Sequence, residues 1–117
     1  MWERYNVAGQ QALSAGKPGE AERHFQLALQ EAEKEGSFCA KVATSCVNLA
    51  NTFRQQGKYL EAEPLYQRAI IAKEKGVGPL HKDMVPVLEN YAKMLKAAGR
   101  TAEAEKVEKK AYAIFMR

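Results

Sequence analysis

Cysteine is scarce: among 117 residues only Cys39 and Cys46 carry thiols. Seven residues along one helix span about 10 Å, beyond the ~7 Å that bridged Cα atoms allow, so both are read as reduced thiols and no disulfide framework organises the fold. Long apolar runs are missing too. No stretch approaches the ~18 residues of a membrane span, and Met1-Trp2-Glu3-Arg4 leads into no secretory apolar segment, so the expectation is a cytoplasmic chain without membrane partners. Charge of one sign is nowhere concentrated. The 18 Lys+Arg and 14 Asp+Glu leave a net +4, without the dense basic blocks of a nucleic-acid arm, so no nucleic acid is expected as a partner. Strand alternation is absent as well. What remains is 46% apolar residues, enough for one modest core and a single domain over residues 1–117.

Internal repetition is the strongest positive signal. Gly16-Lys17-Pro18-Gly19-Glu20-Ala21-Glu22 returns as Gly57-Lys58-Tyr59-Leu60-Glu61-Ala62-Glu63 and again as Gly99-Arg100-Thr101-Ala102-Glu103-Ala104-Glu105, at offsets of 41 and 42 residues. Ala28, Ala69 and Ala111 follow each copy at one distance. A matching apolar ladder precedes each: Tyr5, Ala8, Gly9, Ala12; Cys46, Leu49, Ala50, Phe53; Leu88, Tyr91, Ala92, Leu95. The i, i+3, i+4, i+7 spacing is one helix face, so each copy is a pair of helices. Gly16, Gly57 and Gly99 stand where a helix needs a left-handed C-terminal residue, and Pro18 suits the start of the next.

The pattern predicts helices at roughly 2–15, 18–35, 39–56, 59–75, 84–98 and 101–116, with Asp83 as an N-cap and a bend at Pro64. Small residues at the contact positions let helix axes approach, while Phe25, Phe53, Tyr66 and Leu95 fill between them. One hairpin cannot bury both its faces. The expected fold is therefore all-α: three antiparallel helix-turn-helix repeats, over about 1–36, 37–78 and 79–117, stacked as a short right-handed superhelical solenoid.

Catalytic signatures do not emerge. Gly76-x-Gly78 has no third glycine and follows no strand, and no phosphate loop is present. His81 and Asp83 lie two apart in a loop, a spacing read as capping and loop packing in preference to metal binding. Cys46 falls on a buried ladder position, whereas Cys39 lies near a helix start and is read as the more reactive thiol. No serine has a histidine at a distance that suggests a shared site, so neither enzyme chemistry nor a cofactor or metal is expected.

Gly57, Tyr59, Glu61, Ala62, Glu63, Tyr66 and Ala69, with Asn48-Leu49-Ala50-x-x-Phe53 before them, resemble the tetratricopeptide repeat. The long period and Gly78-Pro79-x-His81-x-Asp83 ahead of Asn90-Tyr91-Ala92 are similar to its kinesin-light-chain-like form. The resemblance implies a protein-binding scaffold with a concave groove lined by the first helices, and peptide-facing roles for Asn48 and Asn90. Departures are Val7, Pro18 and Thr101 at positions of the repeat's pattern, and Glu108 where Phe25 and Tyr66 stand in the other copies.

Beside the buried ladders runs an amide-rich stripe. Asn6, Gln10, Asn48, Asn51, Gln55 and Asn90 can donate to and accept from a peptide backbone whatever its sequence. Arg54, Lys93 and Lys96 add selection for acidic side chains or a C-terminal carboxylate. A protein or peptide held in this groove is one reading. The other is self-association through an apolar face of Ala111, Tyr112, Ile114 and Phe115 at the last helix, giving a homo-oligomer.

Overall fold

In the computed structural model, which describes residues 1–117, the chain is six helices and no strands. They are α1 (Trp2–Ser14), α2 (Pro18–Glu33), α3 (Ala40–Gln55), α4 (Tyr59–Val77), α5 (Met84–Ala97) and α6 (Thr101–Phe115). Consecutive helices pair as three antiparallel hairpins, and each hairpin stacks on the next: α2 against α3, then α4 against α5. The body measures 36 × 31 × 20 Å. Its shortest dimension is two helix diameters, as a two-layer solenoid of hairpins requires.

The turns inside the hairpins are built identically. Gly16, Gly57 and Gly99 have φ of 74°, 76° and 80°, the left-handed conformation that only glycine adopts without strain. Each ends its helix with a paired set of bonds. The Lys17 amide donates to the Ala12 carbonyl at 2.8 Å and Gly16 to Leu13 at 3.0 Å. Lys58 and Gly57 do the same to Phe53 and Arg54 at 2.9 and 3.0 Å, and Arg100 and Gly99 to Leu95 and Lys96 at 2.8 and 3.0 Å. Two otherwise orphaned carbonyls are satisfied at every turn. Pro18 opens α2 where its missing amide costs nothing.

Helix α4 runs unbroken through Pro64. The carbonyl that would have received a residue-64 amide belongs to Leu60, which is 88% exposed, so water can replace the lost bond. Asp83 stands just before α5 but makes no side-chain cap. Instead, His81 Nδ1 accepts the Asp83 amide at 3.0 Å, so the capping is done two residues upstream of the carboxylate.

The apolar ladders fill two clusters. One gathers Ala12, Phe25, Leu49, Phe53, Tyr66 and Leu95 near the turns, and the other gathers Ala32, Val42, Cys46, Met84, Leu88 and Ile114 near the opposite end. Ala21, Ala28, Ala62, Ala69 and Ala104 are fully buried, which holds the helices close enough for the large residues to interlock. Ala111 and Ile114, expected on an exposed face, are buried at 4% exposure each. With Ala104 they form the stripe that α6 turns inward; only Tyr112 and Phe115 of the expected face remain outside.

Polar pairs join one hairpin to the next in a repeating register. Glu22 meets Lys58 at 3.6 Å, and Glu63, at the equivalent position, meets Arg100 at 2.8 Å. Glu33 meets Arg68 at 2.6 Å, and Glu74 meets Lys110 at 3.9 Å. The Arg100 guanidinium and the Tyr91 hydroxyl both donate to Glu63 and hold its carboxyl below the usual carboxylate range. Partly exposed pairs of this kind contribute little stability but fix which residues face each other.

Gly9 shows how tight the first hairpin is. A Cβ at this position would lie 2.4 Å from the buried Phe25 ring, although the following copies carry Ala50 and Ala92 there. In an open helix Gly→Ala stabilises by about 1 kcal/mol. Here Gly9→Ala is expected to lower stability by about 1 to 2 kcal/mol through overpacking, read as a lower urea midpoint at unchanged m-value; a raised midpoint would contradict the contact.

Candidate functional site

Two of the stripe's residues meet in one depression. Asn48, midway along α3, and Asn90, midway along α5, line a groove of about 230 Å³ at the joint between the second and third hairpins. Thr44, Val47, Pro86 and Val87 form its floor and sides, and Lys73 and Asp83 place opposite charges on its rim. The groove exists because Asn48 and Asn90 hold the same register in two stacked hairpins. Their position beside, not on, the buried ladder leaves them half-buried.

Neighbouring contacts determine how much of each amide is free. Asn48 Nδ2 donates to Asn6 Oδ1 at 2.7 Å, which orients the Asn48 amide and leaves its carbonyl oxygen and one N–H unused. Asn6 is thereby a support for Asn48 from α1. Trp2 braces the joint between the first and second hairpins, its indole donating to Ser45 Oγ at 2.7 Å. Lys73 makes no ion pair. Asn90 makes no side-chain hydrogen bond.

Other stripe residues go elsewhere. Asn51 Oδ1 accepts the hydroxyl of Tyr66 from within the same hairpin. Burial pushes the Tyr66 phenol up to about 12, with the nearby Arg54 cation opposing the shift. Arg54 is half-buried, and its Nε is buried without a hydrogen-bond partner. Gln10 and Gln55 are exposed. Lys93 and Lys96 do not join Asn48 and Asn90; they line the separate groove between α5 and α6, where Lys96 donates to Glu108 at 2.7 Å. The register of α5 turns these lysines toward the end of the stack, away from the α3 joint.

Lys73 and Asp83 escaped the sequence reading. Lys73 belongs to a second helix, and only its register gave a signal: a lone cation where the other copies carry Ala32 and Phe115. The sequence pattern points Asp83 to capping alone. Of the two thiols, Cys46 is buried and its thiol is pushed up to about 11 by that burial; Cys39 is half-buried, its Sγ 3.5 Å from the Ala32 carbonyl. No three His, Cys, Asp or Glu side chains come together as a metal site, and no helix is long and apolar enough to cross a membrane.

The family model described as Tetratricopeptide repeat matches residues 5–75 and 41–117, which together take in nearly every position. The chain belongs to the tetratricopeptide-repeat family. Its repeat period is long, at 41 and 42 residues. The crystal structure of BtubC (BKLC) from P. vanneervenii superposes with a TM-score of 0.90 over 98% of this chain, at 22% identity. This chain spans 46% of that protein, so the likeness is one of fold. No curated protein matches the sequence. Tetratricopeptide repeats in general mediate protein–protein interaction, and this chain has the six-helix scaffold on which they do so.

The Asn51–Tyr66 contact makes a structural prediction. Asn51→Ala strands a buried phenol hydroxyl and is expected to cost about 1 to 3 kcal/mol. Tyr66→Phe in the same chain should recover part of that loss in a double-mutant cycle by thermal or urea unfolding. Additive losses would show that the two groups do not depend on each other.

Proposed function

We propose that the chain is a protein-binding scaffold that holds an extended or helical peptide segment of a partner across the joint between α3 and α5. The observation that carries this reading is the convergence of Asn48 and Asn90, with unused amide groups, on one groove rimmed by an unpaired Lys73. Two amides about one hairpin apart suit a peptide backbone, which offers a donor and an acceptor at every residue. Lys73 favours an acidic side chain of the ligand, while Asp83 limits how much negative charge the groove accepts. Asn6 supports the site by orienting Asn48. Gln10, Asn51, Arg54, Gln55, Lys93 and Lys96 stand outside its walls. The recognition needs no cofactor or bond-making step.

A short-peptide array containing acidic sequences tests the reading, with hits measured by fluorescence anisotropy. Asn48→Ala/Asn90→Ala is expected to weaken the best hits about ten- to thirtyfold, as loss of two hydrogen bonds of about 1 kcal/mol each implies. Lys73→Ala should flatten the salt dependence of binding to acidic hits. Hits that bind the double variant as well as the native chain, or that map to the outer faces of α2 and α4, would exclude the groove.

A further inference from the structure

The groove between α3 and α5 carries two opposite charges that the fold itself leaves unused. Lys73 stands on α4 in the register where α2 carries the fully buried Ala32. A methyl group satisfies the packing at that place in the first hairpin, so the core does not call for an amine here. Lys73 is half-buried, lines the groove and makes no ion pair. A lysine so placed lays its stem on apolar neighbours and keeps its ammonium in the open part of the groove.

Asp83 is equally unengaged. It precedes α5 without capping it. His81 Nδ1 lies 3.6 Å from its carboxylate, but that nitrogen already accepts the Asp83 amide at 3.0 Å and so has no proton to give. Lys73 and Asp83 line one groove and do not pair with each other. The register of Asp83 in the second hairpin belongs to Lys41, which Glu35 engages at 2.9 Å. The joint between α1 and α3 therefore has Ala32 and an occupied Lys41 where the joint between α3 and α5 has a free cation and a free anion. Between these charges Val47, Pro86 and Val87 give an apolar floor, and about 230 Å³ has room for an aliphatic side chain and the backbone that carries it.

We propose that the ligand class of this groove is a mixed-charge peptide segment: an aliphatic residue with an acidic side chain on one flank for Lys73 and a basic side chain on the other for Asp83. The inference rests on the peptide reading above and narrows it. A ligand of one sign gains little here, because what Lys73 attracts Asp83 repels, and a purely basic ligand meets the reverse balance. A ligand with both signs in the matching order gains from both ends. Asn48 and Asn90 hold the backbone and read no side chain; Lys73 and Asp83 determine specificity and orientation.

End-capped peptides with one leucine, one glutamate and one lysine, in both orders, test it. The charged residues are set about two positions from the leucine, as an extended strand presents them, or about four, as a helix does. Glutamate-only, lysine-only and uncharged relatives complete the set, and binding is read by fluorescence anisotropy at low salt. One mixed order should bind about five- to tenfold tighter than the glutamate-only peptide. Exchanging the charges, Lys73→Asp with Asp83→Lys, should move the preference to the opposite order. Asp83→Asn keeps the side chain's shape and should bring the glutamate-only and mixed peptides to equal affinity. A glutamate-only peptide that binds the native chain as tightly as either mixed one, or an order preference that survives the exchange, would overturn the proposal and leave the groove standing. No binding by any peptide, or binding indifferent to Asn48→Ala/Asn90→Ala, would remove the groove reading itself and the proposal with it.

Discussion

Everything in this molecule depends on the packing of one hairpin against the next. Within a hairpin, two short helices cross over alanine or glycine and bury one stripe each; the remaining apolar side of the second helix has no cover of its own. Phe25, Tyr66, Ala32 and Ala69 are fully buried because the stack covers that side. Stability is thus distributed along a line, as the sum of hairpins and joints, and no single centre holds the chain together. The small residues at the crossings are as necessary as the large ones between them, as the Phe25 ring lying on Gly9 makes plain.

The same constraint generates the groove with functional meaning. A joint brings equivalent residues of successive first helices side by side, which is why Asn48 and Asn90 share a groove. Tyr112 and Phe115 lie in the open beside a second groove, of about 630 Å³, between α5 and α6. The ion pairs contribute orientation more than strength: Glu22–Lys58 and Glu63–Arg100 are partly solvated, yet each selects one register of one hairpin on its neighbour.

Much of the fold was legible because repetition and helical period reinforce each other. Gly16, Gly57 and Gly99 marked the turns, their left-handed φ following from the need to satisfy the last carbonyls of α1, α3 and α5. The site was legible only in part. Periodicity tells which residues share a face of one helix; it does not tell which faces of different helices meet. Asn48 and Asn90 were found because the repeat register places them equivalently, whereas Asn51, a turn further on, spends its amide on the Tyr66 hydroxyl. Lys93 and Lys96 share a helix with Asn90 but point to the end groove. Lys73 reaches the joint from a second helix that the stripe did not include. Ala111 and Ile114 looked like an exposed apolar face from α6 alone, and the α5 contact that buries them is a property of the pair.

If the fold is a line of hairpins held by their joints, protection must be graded along it. The middle hairpin has a joint on both sides, and each outer hairpin has one. Native-state amide hydrogen exchange measures this directly, residue by residue. The account predicts that the amides of α3 and α4, around the buried Leu49, Phe53 and Tyr66, exchange most slowly and only through global unfolding, while α1 and the end of α6 open at lower free energy. Equal protection across all six helices, or slowest exchange in α1 or α6, would contradict it.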